Sequence, residues 1–208
     1  MARPAPDRRR PFPAAALLIG GLWLLGLPQP GAAAQPADVE ALMALLGRVQ
    51  RVEVDYRETV ESGLIDTAIS TRGRLAYEAP DHISRLSDRG EGFVLDGDHM
   101  QLIADGHVVK ELEVSDIAPL EAMVGALRAT FAGDLATLRA DYRLDYRPGN
   151  GHWTLDLAPR DSSLSHVFRH IGMVGDGATI TTIAMEEPDG DRRTLHMRLL
   201  SREPAGLD

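Results

Sequence analysis

The chain has 208 residues, of which 44% are hydrophobic and 25% charged, and it contains no cysteine. This composition predicts a folded domain with a soluble surface rather than a disordered chain, and the length suits one domain plus a removable leader. The formal net charge of −9 argues against a nucleic-acid partner, because an acidic surface repels phosphate backbones. Without cysteine there is neither a disulfide framework nor a residue that could carry a lipid after signal cleavage.

Residues 1–34 have the pattern of a secretory signal peptide. Three arginines at 8–10 precede an apolar run from Ala14 to Leu27, and Ala32, Ala33 and Ala34 offer a small-residue cleavage site. The alternative is an uncleaved anchor, but the run is shorter than the about 20 residues that a membrane span needs. We therefore expect cleavage near Ala34 and export to the periplasm. Removing four arginines and one aspartate would leave a mature chain, residues 35–208, of net charge −12.

The mature chain is predicted to begin with one helix and then to change to strands. Pro36 and Asp38 suit a helix start, and apolar residues follow at helical spacing: Val39, Leu42, Met43, Leu45, Leu46 and Val49. From Val52 apolar and charged residues alternate, which predicts a half-buried antiparallel strand. A second such run contains Ile69, Thr71, Leu75 and Tyr77, and short strands follow up to Val114, separated by hairpin signals at 96–98 and 105–106.

A helical insert interrupts the strands. Ser115 or Asp116 is the predicted cap, Leu120, Met123, Val124, Leu127 and Phe131 form the apolar stripe, and Gly133 is placed to end the helix. A second short helix is predicted over 134–140. Apolar and polar residues alternate again from Tyr142 and from Trp153, which predicts two more strands. Three further strands are predicted near 166–174, 178–186 and 192–201.

These patterns predict a mainly β fold of the α+β class. About eleven short strands do not alternate with helices, which excludes a parallel βαβ sheet. A single antiparallel sheet of this width must curl to bury one face, and the helices are placed to cover the concave side.

The sequence favours no catalytic residue, metal site or cofactor. The chain has no nucleophile elbow, phosphate-binding glycine loop or zinc-binding helix motif. His166 and His170 are predicted on a strand, where positions four apart lie about 13 Å from each other. The Asp-Gly-Asp triplets are interpreted as turns rather than calcium loops. Tyr56, Tyr77 and Trp153 could form an aromatic binding site or pack in the interior.

Two stretches carry a resemblance to a known family. Gly73-Arg74-Leu75-Ala76-Tyr77-Glu78-Ala79-Pro80-Asp81-His82-Ile83 resembles the LolA family's Gly-x-Leu, aromatic, proline and apolar segment, and Gly92-Phe93-Val94-Leu95-Asp96-Gly97-Asp98 is similar to its strand that ends in Asp-Gly. The order of helix, strands, helical insert and strands also resembles the family, as does Trp153-Thr154-Leu155-Asp156-Leu157-Ala158-Pro159. The resemblance covers residues 37–200.

The resemblance implies an unclosed half-barrel whose hollow, covered by helices, holds the acyl chains of lipoproteins. It further implies two partners, an inner-membrane release complex and an outer-membrane receptor, and we expect a monomer. Two departures are visible. Ala79 occupies the place of an arginine that is important in the carrier, and the carrier's C-terminal extension is not found after Leu200. Lipoprotein or glycolipid carriage by a divergent member is the expected function.

Successive residues of a strand face opposite sides of the sheet, and this alternation is called strand parity. Together with the resemblance, it predicts which residues line the hollow. They are Tyr56, Leu75, Tyr77, Ile83, Phe93, Leu127, Phe131, Trp153, Leu155, Ile171, Met173 and Met185. The same residues could instead fill a closed core. Residues 116–140 are predicted to form a lid, so that removing the side chains of Leu127 and Phe131 should change lipid retention.

Two other functions stay open. A sensory domain would bind lipid or mislocalised lipoprotein and report to a signalling protein, whereas a carrier would exchange its ligand between membranes. Hydrolysis of an acyl ester is disfavoured because no residue qualifies as a nucleophile.

Overall fold

The structure is a computed structural model that describes residues 35–63, 65–162 and 164–204, with only the backbone of 65–67. The predicted signal peptide, residues 1–34, lies outside the described residues. Within these ranges there are three α-helices: α1 (Val39–Leu46), α2 (Ala118–Ala132) and α3 (Leu135–Asp141). The strands are β1 (Val49–Ser62), β2 (Ile65–Glu78), β3 (His82–Ser87), β4 (Gly92–Asp96), β5 (His99–Ala104), β6 (His107–Glu113), β7 (Tyr142–Pro148), β8 (Trp153–Pro159), β9 (His170–Asp176), β10 (Thr179–Glu186) and β11 (Arg192–Pro204).

The eleven described strands form one unclosed antiparallel sheet in the order β6-β5-β4-β3-β2-β1-β11-β10-β9-β8-β7. Strands β1 and β11 pair at the centre, although they lie at opposite ends of the domain's sequence. The helices pack on one face of the sheet. The predicted fold class is therefore confirmed: a mainly β, unclosed half-barrel of eleven strands with helices over its concave side.

The first helix begins and ends where its chemistry requires. The Asp38 carboxylate accepts a hydrogen bond from the backbone N–H of Ala41 at 2.8 Å, a standard N-cap. Helix α1 ends before Gly47, where a Cβ would meet the Ala132 carbonyl oxygen at 2.8 Å. Val49 belongs to β1, so the strand begins three residues before the predicted Val52.

The helical insert is confirmed, but its predicted cap is wrong. The N-cap of α2 is Ile117, without a side-chain hydrogen bond. Ser115 and Asp116 lie instead in a 3₁₀ turn ahead of the helix, where the Ser115 hydroxyl donates to the Asp98 carboxylate at 2.5 Å. At the other end Gly133 adopts φ +68°, the left-handed conformation that ends the helix as predicted. Asp134 then caps α3 by accepting from the Thr137 N–H at 3.0 Å.

The strand predicted over 166–174 begins later than expected. His166 lies in a short 3₁₀ turn and β9 starts at His170. The chain leaves the sheet here because Phe168 enters the core, fully buried, with its ring 6.4 Å from that of Tyr142. The two histidines thus lie in different elements.

Two apolar clusters connect the helices to the sheet. The larger joins α1, α2 and α3 to strands β7 to β10, and its buried members are Leu42, Met43, Leu46, Ala126, Ala129, Leu138, Tyr142, Trp153, Leu155, Leu157, Phe168, Ile171, Met173 and Ile180. The smaller joins α2 to β2, β3, β4 and β5 through Tyr77, Ile83, Leu95, Met100, Val114 and Val124. Phe131 of α2 packs against both clusters. Helix α2 therefore bridges the two halves of the sheet.

Charged residues occupy the other face of the central strands. Arg74 lies 3.1 Å from the Glu53 carboxylate, and Arg198 pairs with Asp55. Glu53 and Asp55 alternate along β1 with Val54 and Tyr56, which are buried. The alternation predicted from the sequence thus separates a charged convex face from an apolar concave face.

Candidate functional site: an apolar cavity beneath helix α2

A cavity of about 390 Å³ lies between α2 and the concave face of the sheet. This volume is within the about 300–1,000 Å³ typical of small-molecule sites. Its wall consists of Glu58, Leu75, Ile83, Arg85, Phe93, Met123, Leu127, Phe131, Val167, Ile171, Ile183, Met185, Glu187, Arg193, Leu195 and Met197. Twelve of these sixteen side chains are apolar, and three of the twelve are methionines, whose unbranched side chains adapt to irregular ligands.

The cavity exists because the sheet curls. Phe93 of β4 and Met185 of β10 line the same space, although four strands separate β4 from β10 in the sheet order. The two apolar clusters pack α2 against the two halves of the sheet. Over the central strands the protein's own side chains leave the space open.

Seven of the twelve predicted lining residues contribute to the cavity wall. They are Leu75, Ile83, Phe93, Leu127, Phe131, Ile171 and Met185. They come from five strands and from α2, so the predicted parity and the predicted helix bring them together. Their contact with a lipid stays a prediction.

The other five lie outside the wall of this cavity. Trp153, Leu155 and Met173 are fully buried in the larger cluster, beneath the helices. Tyr77 is buried in the smaller cluster and stacks on Phe131. Tyr56 is buried beneath Arg85, whose guanidinium carbon lies 4.7 Å from the centre of its ring.

Nine lining residues were not predicted. Five of them are apolar and all five fall within the predicted helix or the predicted strands, so the sequence pattern could have found them: Met123, Val167, Ile183, Leu195 and Met197. The remaining four are charged: Glu58, Arg85, Glu187 and Arg193. Three of them lie on β1, β3 and β11 at positions that face the same side of the strand as buried or partly buried apolar neighbours. A charged residue at a strand position that the alternation assigns to the apolar face is the signal that could have revealed them.

Helix α2 is fastened to the sheet at two points besides its apolar stripe. Ahead of the helix, the Asp98 carboxylate accepts from both the backbone N–H of Ser115, at 3.1 Å, and its hydroxyl. Farther along, the Tyr142 hydroxyl donates to the Ala122 carbonyl at 2.9 Å. Asp98 lies in the β4–β5 turn, so the Asp-Gly-Asp triplet fastens the start of the insert.

The buried tyrosines act as neutral hydrogen-bond donors. Burial raises the pKa of Tyr142 to about 12, and burial also raises the pKa of Tyr77, whose hydroxyl donates to the Pro80 carbonyl at 3.2 Å. Burial is likewise the main cause that raises the pKa of Tyr56, partly offset by the Arg85 cation. Because their pKa values are raised, these phenols stay protonated at neutral pH.

Neither a metal cluster nor a membrane helix is found in the described part of the chain. Among its residues, no three His, Asp or Glu side chains come together where they could hold a metal ion. None of its helices has the length and apolar character that crossing a membrane would require.

The sequence matches a known family model over residues 31–205, and that model is described as outer membrane lipoprotein carrier protein LolA-like. The chain belongs to this family. Since the match spans most of the chain, the resemblance carried by the Gly73–Ile83 and Gly92–Asp98 stretches is confirmed at the level of family. No curated protein sequence matches this LolA-like chain.

Solved structures with a similar fold have very different sequences. A LolA superfamily protein from Nitrosomonas europaea is 9% identical with a TM-score of 0.38, and the alignment covers 85% of this chain and 96% of that one. A DUF1329 family protein from Desulfovibrio piger is 8% identical with a TM-score of 0.45, covering 82% and 92%. The Pseudomonas aeruginosa MucA/MucB complex is 16% identical with a TM-score of 0.44, covering 83% of this chain but 59% of that one.

The position at which the resemblance expects an arginine holds a small apolar residue in this chain. Ala79, where the resemblance expects an arginine, packs against the smaller cluster and donates its N–H to the Gln50 carbonyl at 2.8 Å. The arginine nearest to it on the cavity wall along the chain is Arg85 of β3. The side chain at 79 in this LolA-like chain therefore contributes apolar packing instead of charge.

Proposed function

We propose that this protein is a periplasmic carrier that binds acyl chains of lipoproteins or glycolipids in the cavity beneath α2. The observation that carries the proposal is the cavity itself: about 390 Å³ of mainly apolar space that the protein's own side chains leave open. Family membership adds that related chains are lipoprotein carriers. The protein acts by binding, and no reaction is assigned to it.

The physical reason for binding is the transfer of methylene groups out of water. Each buried CH₂ contributes about 0.8 kcal/mol, so a chain of about fourteen methylenes would gain roughly 11 kcal/mol. Aliphatic walls supply this without directional contacts, which suits a carrier of varied lipids. Wall residues such as Leu127, Ile183 and Met197 offer such surfaces from α2, β10 and β11.

Affinity of this size makes release slow, so a carrier needs a mobile cover. We assign this cover to α2 and α3, within the predicted lid region 116–140. Met123, Leu127 and Phe131 of α2 form the side of the cavity that faces the sheet. Movement of α2 would open the cavity without breaking any strand pairing.

Location and partners follow from the same proposal. Residues 1–34 would direct export and be removed near Ala34. In the periplasm, the carrier would receive its lipid from an inner-membrane release complex and pass it to an outer-membrane receptor, acting as a monomer. The net charge of −12 after cleavage would keep it soluble and would favour basic patches on those partners.

Filling the cavity tests the proposal. In the variant Leu195→Trp the larger ring would occupy the cavity, and displacement of a fluorescent fatty acid should show at least about tenfold weaker binding. Leu200→Trp is the matched control, because Leu200 lies on the same strand but is 40% exposed and outside the wall. Equal binding by both folded variants would reject the cavity as the site.

A sensory role is the second candidate, favoured by one observation. Strand β6 is an edge strand that exposes Val108 and Val109, and an edge of this kind can pair with a strand from another protein. Lipid transfer between donor and acceptor vesicles distinguishes the two functions. A carrier accelerates transfer, whereas a sensor binds lipid and forms a stable complex with a signalling protein.

A further inference from the structure

Four charged side chains interrupt the otherwise apolar wall of the cavity. Arg85 of β3 donates to Glu58 of β1 at 2.5 Å, and Arg193 of β11 lies 3.9 Å from the same carboxylate. Arg193 also donates from its Nε to Glu187 at 3.0 Å. These contacts form one alternating chain of charges, Arg85–Glu58–Arg193–Glu187, along the wall.

The carboxylate at the centre of this chain is already occupied. One oxygen of Glu58 accepts from Arg85 and the other faces Arg193, and the Glu58 side chain is only 15% exposed. A further cation would have to displace one of the arginines. Glu58 therefore has no free carboxylate oxygen with which to bind a cationic ligand.

Arg85, in contrast, has a donor without an acceptor. Its Nε is buried and has no hydrogen-bond partner among the described residues, while its side chain is only 25% exposed. The guanidinium carbon lies over the Tyr56 ring, 4.7 Å from its centre, and this cation–π contact restrains the position of the donors. A buried donor on a cation is costly to leave unpaired, and an anionic oxygen is its strongest acceptor.

We infer that the guest is an amphiphile with an anionic head group, a carboxylate or a phosphate, held by Arg85 and Arg193 while its chain lies in the cavity. The inference rests on the proposed function and narrows its ligand. Both arginines line the same cavity as Leu195 and Met185, so head and chain would bind to adjoining parts of one wall. The planar guanidinium fork matches carboxylate and phosphate geometry.

The test compares ligands that have the same alkyl chain but different head groups. Binding of dodecanoate, dodecyl phosphate and dodecanol to the purified protein would be measured by calorimetry at neutral pH. The inference predicts that at least one anion binds about tenfold or more tightly than dodecanol, the worth of one charged hydrogen bond. The preferred anion distinguishes carboxylate from phosphate. Equal binding of all three would overturn the inference and leave the proposed function standing, whereas binding of none would overturn the proposed function.

Substitutions of the two arginines test whether these residues cause the preference for an anionic head group. Arg85→Met and Arg193→Met should each lose most of the preference for the anion and keep the affinity for dodecanol. Arg198→Met is the control, because Arg198 lies on β11 but pairs with Asp55 outside the cavity. Arg193 is 49% exposed, so its variant keeps the test available if Arg85→Met does not fold. An unchanged preference in folded Arg193→Met and Arg85→Met would contradict the inference.

Discussion

The rings of Tyr77 and Phe131 stack with their centroids 4.7 Å apart and their planes inclined by 20°. Tyr77 belongs to β2 and Phe131 to the last turns of α2, so this contact joins the helix that covers the cavity to the sheet. Phe131 also separates two spaces. Together with Leu75 and Met197 it lines both the main cavity and a smaller hollow of about 30 Å³.

Removing the Phe131 ring should join the two spaces. Phe131→Ala is expected to lower the free energy of unfolding by about 3 kcal/mol and to shift the preferred guest toward longer acyl chains. Denaturant unfolding and binding of a series of fatty acids check both effects. Phe168→Ala is the control, because Phe168 is fully buried but lies outside both walls, and it should lose stability without a change in chain-length preference. The same chain-length optimum in both variants would contradict the account.

The contact between Asp98 and Ser115 should control how readily α2 moves. Asp98→Ala removes the acceptor of two hydrogen bonds, so we expect a loss of about 1–3 kcal/mol in unfolding free energy and faster ligand release. Stopped-flow dissociation of a fluorescent fatty acid measures the rate. Asp96→Ala, in the same turn, should leave it unchanged because Asp96 does not contact the insert; equal rates in the two variants would show that this anchor does not restrain the cover.

Two glycines of the α2 region should respond in opposite directions to alanine. At Gly133, with φ +68°, an added Cβ would lie 2.3 Å from the Met43 carbonyl oxygen, and Gly133→Ala should cost about 2 kcal/mol or more. At Gly125, in the helix interior, a Cβ meets nothing within 4 Å, so Gly125→Ala should stabilise by about 0.5–1 kcal/mol. Thermal unfolding of both variants gives the signs, and a tolerated Gly133→Ala would disprove the close approach of α1 and α2.

The pKa of the His99 imidazole should lie above its ordinary value. The hydrogen bond to Glu113, with 3.0 Å between Nδ1 and Oε1, raises the pKa of His99 from its usual 6.5. Because the folded-state pKa is raised, the stability from this pair is fully present below pH 6.5 and is lost as the pH rises through the folded value. An NMR titration of His99 should show the raised pKa and its fall toward 6.5 in Glu113→Gln, while Glu121→Gln leaves it unchanged. A wild-type pKa of 6.5 or lower would contradict the contact.

The fold could be predicted because strand parity is a local property. Charged and apolar residues alternate along β1 and β8, and hairpin turns mark the strand ends, so the eleven strands and the insert followed from the pattern. The errors arose where a distant contact overrode a local signal. Ser115 is occupied by Asp98, and Phe168 draws the start of the predicted ninth strand into the core.

The cavity could be predicted only in part. Strand parity shows which residues lie on the concave face of the sheet, but it does not show which of them the helices cover. Trp153 and Leu75 both face the concave side, yet the helices pack on Trp153 and leave Leu75 at the open space. The resting positions of the helices depend on close contacts such as Gly47 to Ala132. The charges at Glu58 and Arg193 were visible as exceptions to the parity and would have located the polar end of the wall.

The central claim is that the space beneath α2 holds a lipid. Native mass spectrometry of the protein purified from the cells that naturally produce it tests this most directly, because it weighs the protein together with any molecule that it retains. The account predicts a mass increase that dissociates as an acyl-bearing molecule and that is lost in Leu195→Trp but kept in Leu200→Trp. A bare protein mass, together with no uptake of added fatty acid or lipoprotein, would contradict it.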